Sequence, residues 1–66
     1  MFVSKFYSVN SRKFAEVHFQ KNKGYVVKFY EISSVDSDEE LIDVLNFGND
    51  IKKAEDACED FVLGEN

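Results

Sequence analysis

The sequence predicts an α+β domain: an antiparallel meander of three to four strands, closed on one face by a single C-terminal amphipathic helix. Three observations predict it. Phe2 to Val9, Phe14 to Gln20 and Tyr25 to Ile32 are rich in β-branched and aromatic residues and are separated by the polar stretches Asn10-Ser11-Arg12-Lys13 and Lys21-Asn22-Lys23-Gly24. Past residue 50 the apolar spacing changes from a period of about two to one of about 3.6. Seven Phe and three Tyr with no Pro are too much aromatic surface for a disordered chain, because such side chains gain stability only when buried.

Turn chemistry sets the register of the meander. Asn10-Ser11 suits a two-residue turn, which places Phe6 beside Ala15, Ser4 beside Val17 and Phe2 beside Phe19. In the second turn Asn22 and Lys23 suit a type I turn and Gly24 supplies the left-handed residue of a three-residue loop. Lys21 then faces Tyr25, pairing Phe19 with Val27, Val17 with Phe29 and Ala15 with Glu31 on one face. The other face pairs His18 with Lys28, Glu16 with Tyr30 and Phe14 with Ile32. The first face is nearly all apolar. The reverse face carries Val3, Lys5, Tyr7, Phe14, Glu16, His18, Lys28, Tyr30 and Ile32, with Lys5 opposite Glu16 as an ion pair.

Residues 33–40 are polar and acidic and read as a surface loop. Leu41 to Phe47 fits two templates. As a strand it sets Leu41, Leu45 and Phe47 on one side and Ile42 and Val44 on the other; as a helix it has a capping box in Ser37 and Glu40 and a stop at Gly48. Apolar residues on both sides favour a strand buried from both faces. Residues 49–63 read as the helix: Ile51, Ala54, Cys58 and Phe61 form its stripe, flanked by Ala57 and Val62, with Asn49 or Asp50 as cap and Gly64 as closure. Ile51, Cys58 and Phe61 are expected to dock on Phe6, Val17, Phe19, Val27 and Phe29.

Sixty-six residues make one small domain, of a size at which oligomerisation often supplements the core. Cys58 is the only cysteine, which excludes an internal disulfide and fits a reducing compartment. No run approaches the ~18 apolar residues that span a bilayer, so a cytoplasmic protein without membrane contact is expected. Charge is divided along the chain. Residues 1–32 hold six Lys/Arg against Glu16 and Glu31, a formal +4, whereas residues 33–66 hold Lys52 and Lys53 against eleven acids, a formal −9.

The tail from Lys53 to Gly64, following a segment that reads Val26-Val27-Lys28-Phe29-Tyr30, resembles the short, mostly uncharacterised reading frames of tailed bacteriophages. Those proteins pair a small antiparallel meander with an acidic, alanine-containing C-terminal helix. The resemblance covers about half the chain. It implies a small viral accessory protein acting in a host cytoplasm, and it implies no catalytic residue.

No constellation names a reaction. His18 is the only histidine, and its expected neighbours Val3, Glu16, Gln20 and Lys28 offer neither a metal-ligand set nor a nucleophile. Cys58 lies on the apolar stripe and reads as a small buried hydrophobe. The acidic run Asp36, Asp38, Glu39, Glu40, Asp43 lacks the central Gly and closing Glu of a calcium loop. Glu55, Asp56, Glu59 and Asp60 form an acidic helix surface whose i, i+4 neighbours repel. No glycine-rich phosphate loop is present. The expectation is therefore no enzyme, no cofactor and no metal.

The expected function is protein interaction, most simply as a homodimer and with a host or viral protein, through a face of Val3, Lys5, Tyr7, Phe14, His18, Lys28, Tyr30 and Ile32. One alternative is single-stranded nucleic-acid binding on that same aromatic and basic face. The acidity of the domain and the absence of aromatic RNA-binding signatures weigh against it. A second alternative is an acidic mimic of DNA, though Lys52 and Lys53 interrupt the row of acids.

Overall fold

The computed structural model describes residues 1–9, 12–32 and 38–63. Strands β1 (Phe2–Tyr7), β2 (Lys13–Gln20), β3 (Gly24–Glu31) and β4 (Glu40–Gly48) precede helix α1 (Ile51–Leu63). All neighbouring strands are antiparallel and the sheet order is β1-β2-β3-β4, so the fold is the expected α+β meander with its fourth strand. Residues 41–47 therefore take the strand template. The turn at Asn10-Ser11, the Ser37 cap and the Gly64 closure fall outside the described residues.

The first hairpin keeps the expected register from Tyr7↔Phe14 to Ser4↔Val17. It then departs. A bulge between Phe2 and Ser4 sets Phe2 opposite His18 rather than Phe19. Val3, expected on the reverse face, is turned onto the core and packs against it. Ser4 keeps its place opposite Val17, and its Oγ is buried with no hydrogen-bond partner among the described residues.

The second hairpin is offset by two residues from expectation: Phe14 faces Tyr30, Ala15 faces Phe29 and Val17 faces Val27. The chain turns over Lys21–Lys23, with the Lys23 N–H donating to the Gln20 carbonyl at 3.0 Å, and Gly24 is already paired with Gln20. Gly24 has φ 86°, as foreseen, but it belongs to the strand rather than to the loop. A shift of two preserves side-chain parity, so the partners change and the faces do not.

On the covered face Ala15, Val17, Val27, Phe29, Ala54 and Cys58 form the buried cluster, with Val3, Phe6, Tyr25, Phe47, Ala57 and Phe61 packed around it. Phe61 meets Phe29 at 4.9 Å between ring centroids. Ile51 and Phe19, both expected to dock, lie outside this cluster; Phe19 packs edge-on against Tyr25 at 5.1 Å instead. Small Ala54 and Cys58, both 0 % exposed, are what let the helix sit close on the sheet. Asp50 is the cap. Its Oδ1 accepts the Lys53 N–H at 3.0 Å and its carbonyl accepts the Ala54 N–H at 3.2 Å, so the helix begins at Ile51 rather than at residue 49.

Candidate interaction surfaces

The uncovered face of the sheet is organised in transverse rows because the antiparallel registers align across the strands. One row is Tyr7, Phe14, Tyr30 and Leu41, one residue from each strand. Its rings are in contact, with Tyr7–Phe14 centroids at 5.7 Å and Phe14–Tyr30 stacked at 4.7 Å and 11°. The next row is Lys5, Glu16, Lys28 and Val44, and the third is Phe2, His18, Val26 and Asn46. The expected cluster of Tyr7, Phe14 and Tyr30 is thus brought together. Ile32 follows β3, half-buried, with its N–H donating to the Arg12 carbonyl at 2.7 Å.

Charge on this face is internally paired. Glu16 receives the Lys5 ammonium at 3.6 Å on Oε2 and lies 3.0 Å from His18 Nε2 on Oε1. The Lys5 Nζ also sits 4.5 Å from the centre of Phe14 and 5.1 Å from that of Tyr7. A hydrogen bond to Tyr7 holds the Lys5 ammonium above its ordinary 10.5, helped by the Tyr7, Glu16 and Glu39 charges against partial desolvation. Burial, followed by the Glu16 and Glu39 charges, raises the Tyr30 hydroxyl above 10.0. His18 stands against Phe2, edge to face at 5.6 Å, and opposite Val26, so its neighbours Glu16, Phe2 and Val26 are those of a half-buried strand residue.

Exposure separates the ends of the aromatic row from its centre. Phe14 is 2 % exposed, whereas Tyr7 is 57 % and Leu41 50 %. Leu41 was expected on the opposite side of its strand from Val44. A register shift between Phe29 and Tyr30 in the β3–β4 ladder pairs Leu41 with Tyr30 and leaves Ile42 on the helix side, exchanging the two.

No family model, no curated protein and no solved structure matches the chain. Among the described residues no group of His, Cys, Asp and Glu is arranged to hold a metal ion, and no helix is long and apolar enough to cross a membrane.

The second surface lies on the helix side. Helix α1 rests chiefly on β2 and β3, and a groove of about 480 Å³ remains between it and β4, lined by Phe29, Ile42, Asp43, Leu45, Ala57, Asp60 and Phe61. Nothing in the sequence marks this groove, because it depends on the lateral position of the helix over the sheet. The acidic surface foreseen on α1 is present: Asp56, Glu59 and Asp60 are exposed and Glu55 is half-exposed.

Cys58 is 0 % exposed, and burial followed by the Glu55 and Glu59 charges pushes its thiol from the ordinary 9.0 up to about 11. The buried thiol stays protonated after the unfolded one has ionised. Its contribution to stability is complete below pH 9.0 and is lost as pH rises towards about 11. Allowing for solvent screening of the two glutamates, the loss is about 1–2 kcal/mol. Urea titrations across this range should show the natural chain losing that much more stability than Cys58→Ala. Parallel pH profiles would remove the thiol from the account.

Proposed function

We propose that the chain is a non-enzymatic protein-interaction module that self-associates, most simply as a dimer, through the open face of its sheet. The observation that carries this reading is the row Tyr7–Phe14–Tyr30–Leu41, which crosses all four strands with its two ends more than half or half exposed. The exposed ends, Tyr7 and Leu41, are the apolar area that a second copy would remove from water, since the one helix serves only the other face of the sheet. The setting implied by the bacteriophage resemblance, a host cytoplasm, is retained as part of the proposal.

The nucleic-acid alternative is weaker on this geometry. A base stacks on an accessible ring, but Phe14 is packed against Tyr30 and beneath the Lys5 ammonium, and Lys5 is itself paired with Glu16. The DNA-mimic alternative still has Lys52 and Lys53 exposed on the helix that carries the acids.

Sedimentation at micromolar concentration tests the proposal. The natural chain should exceed its 7.6 kDa monomer mass and should do so in high salt as well as low, since the contact is apolar. Tyr7→Glu and Leu41→Lys, both at exposed positions, should each weaken association about tenfold or more while leaving the circular dichroism unchanged. A monomer at every concentration and salt level refutes it.

A further inference from the structure

The groove between α1 and β4 lies on the side of the sheet opposite the aromatic row, and its chemistry is different. Its walls are apolar, from Phe29, Ile42, Leu45 and Phe61, and its polar side chains are two carboxylates, Asp43 on the strand and Asp60 on the helix. Neither carboxylate has a cationic partner among the described residues.

The position of these acids is not explained by the needs of the fold. The N-terminal end of a helix favours acids and its C-terminal end favours bases. Helix α1 has no acid in its first turn and no base in its last, and it carries Lys52 and Lys53 near its start and Glu59 and Asp60 towards its end. Asp60 also lies one turn from Asp56, a like-charge neighbour. Asp43 stands in an edge strand beside Ile42 and Leu45, which are 47 % and 42 % exposed. One of its oxygens, Oδ1, accepts the Val44 N–H at 2.8 Å.

We propose that this groove is a docking site for a basic, apolar peptide segment, one that places an aliphatic side chain against Ile42, Leu45 and Phe61 and a lysine or arginine between Asp43 and Asp60. Charge complementarity selects this occupant. A neutral apolar segment would desolvate both carboxylates with no cation to compensate them, and an acidic one would add repulsion. A long cationic side chain satisfies both features at once, because its methylene stem lies on the apolar walls while its head meets the acids.

The test uses the full chain and three short blocked peptides, alternating lysine–leucine, glutamate–leucine and lysine–serine, titrated at near-physiological salt. Fluorescence anisotropy gives affinity and amide chemical shifts give location. The lysine–leucine peptide should bind with shifts centred on Ile42, Leu45 and Phe61, and each of the other two should bind at least tenfold more weakly. Replacing both acids, Asp43→Asn with Asp60→Asn, keeps an acceptor for the Val44 N–H and should weaken lysine–leucine binding about tenfold, the sum of two exposed ion pairs. Three results overturn the proposal: equal binding of the glutamate–leucine peptide, unchanged affinity in the double amide variant, or shifts centred on Tyr7 and Leu41. The last would assign the peptide to the open face, and a failure in the groove leaves self-association through that face intact.

Discussion

Phe29→Ala is expected to unfold the domain. Phe29 is 5 % exposed, belongs to the buried cluster, and contacts Phe61 of the helix at 4.9 Å between centroids. Removing the ring takes away its transfer free energy and leaves a cavity between β3 and α1, together about 3–5 kcal/mol. A domain of this size has only a few kcal/mol of net stability to lose. Leu63→Ala, at a position 66 % exposed, should shift stability by about 0.5 kcal/mol or less. Urea unfolding followed by tyrosine emission separates the two; equal midpoints would mean that the helix is not seated on the sheet through Phe29.

Gly24→Ala is expected to have the next largest effect. At φ 86° an L-residue is strained, and a Cβ there would overlap the backbone carbonyl of Gly48 on the adjacent strand. Neither strand moves without breaking the end of the β3–β4 ladder, where Tyr25 pairs with Gly48. A loss of about 2–4 kcal/mol follows from strain and overlap together. Gly48→Ala separates the two causes. Gly48 also has positive φ, 62°, but a Cβ there meets nothing within 4 Å, so only the conformational cost of about 1 kcal/mol remains. Similar melting temperatures for the two variants would show that the close approach of the strands carries no energy.

The fold was legible because side-chain parity survives errors of register. Placing Lys21 opposite Tyr25 missed the true pairing by two residues, yet Ala15, Val17, Val27 and Phe29 still reached the covered face and Phe14, Glu16, His18, Lys28 and Tyr30 the open one. An irregularity of one residue is different, and two of them exchanged side chains between faces. Val3 went to the core in place of Phe2, and Leu41 went to the open face in place of Ile42. Neither site carries a Gly or Pro to announce it, and at both the neighbouring residues are apolar enough to suit either side. Such bulges follow from the twist and curvature of the assembled sheet, which no local pattern encodes.

The candidate site divides in the same way. The cluster of Tyr7, Phe14 and Tyr30 and the Lys5–Glu16 pair could be read from periodicity and turn spacing. Leu41, which completes the row, could not, since its side depends on the irregularity before Tyr30. The groove beside Asp43 and Asp60 was further from reach, because two acids 17 residues apart in the chain meet only through the placement of α1.

The strand order β1-β2-β3-β4 has a consequence for how the chain is made. Every strand pairs with its neighbour in sequence, so each hairpin closes over a short loop, at small entropic cost, as soon as its second strand leaves the ribosome. The sheet needs no residue beyond Gly48, and residues 51–63 close a core that the strands have already laid out. Until the helix docks, Val17, Val27 and Phe29 face water with no cover. Residues 1–48 hold six Lys/Arg against seven acids, so the helix that seals the core also deepens a negative charge the strands already carry.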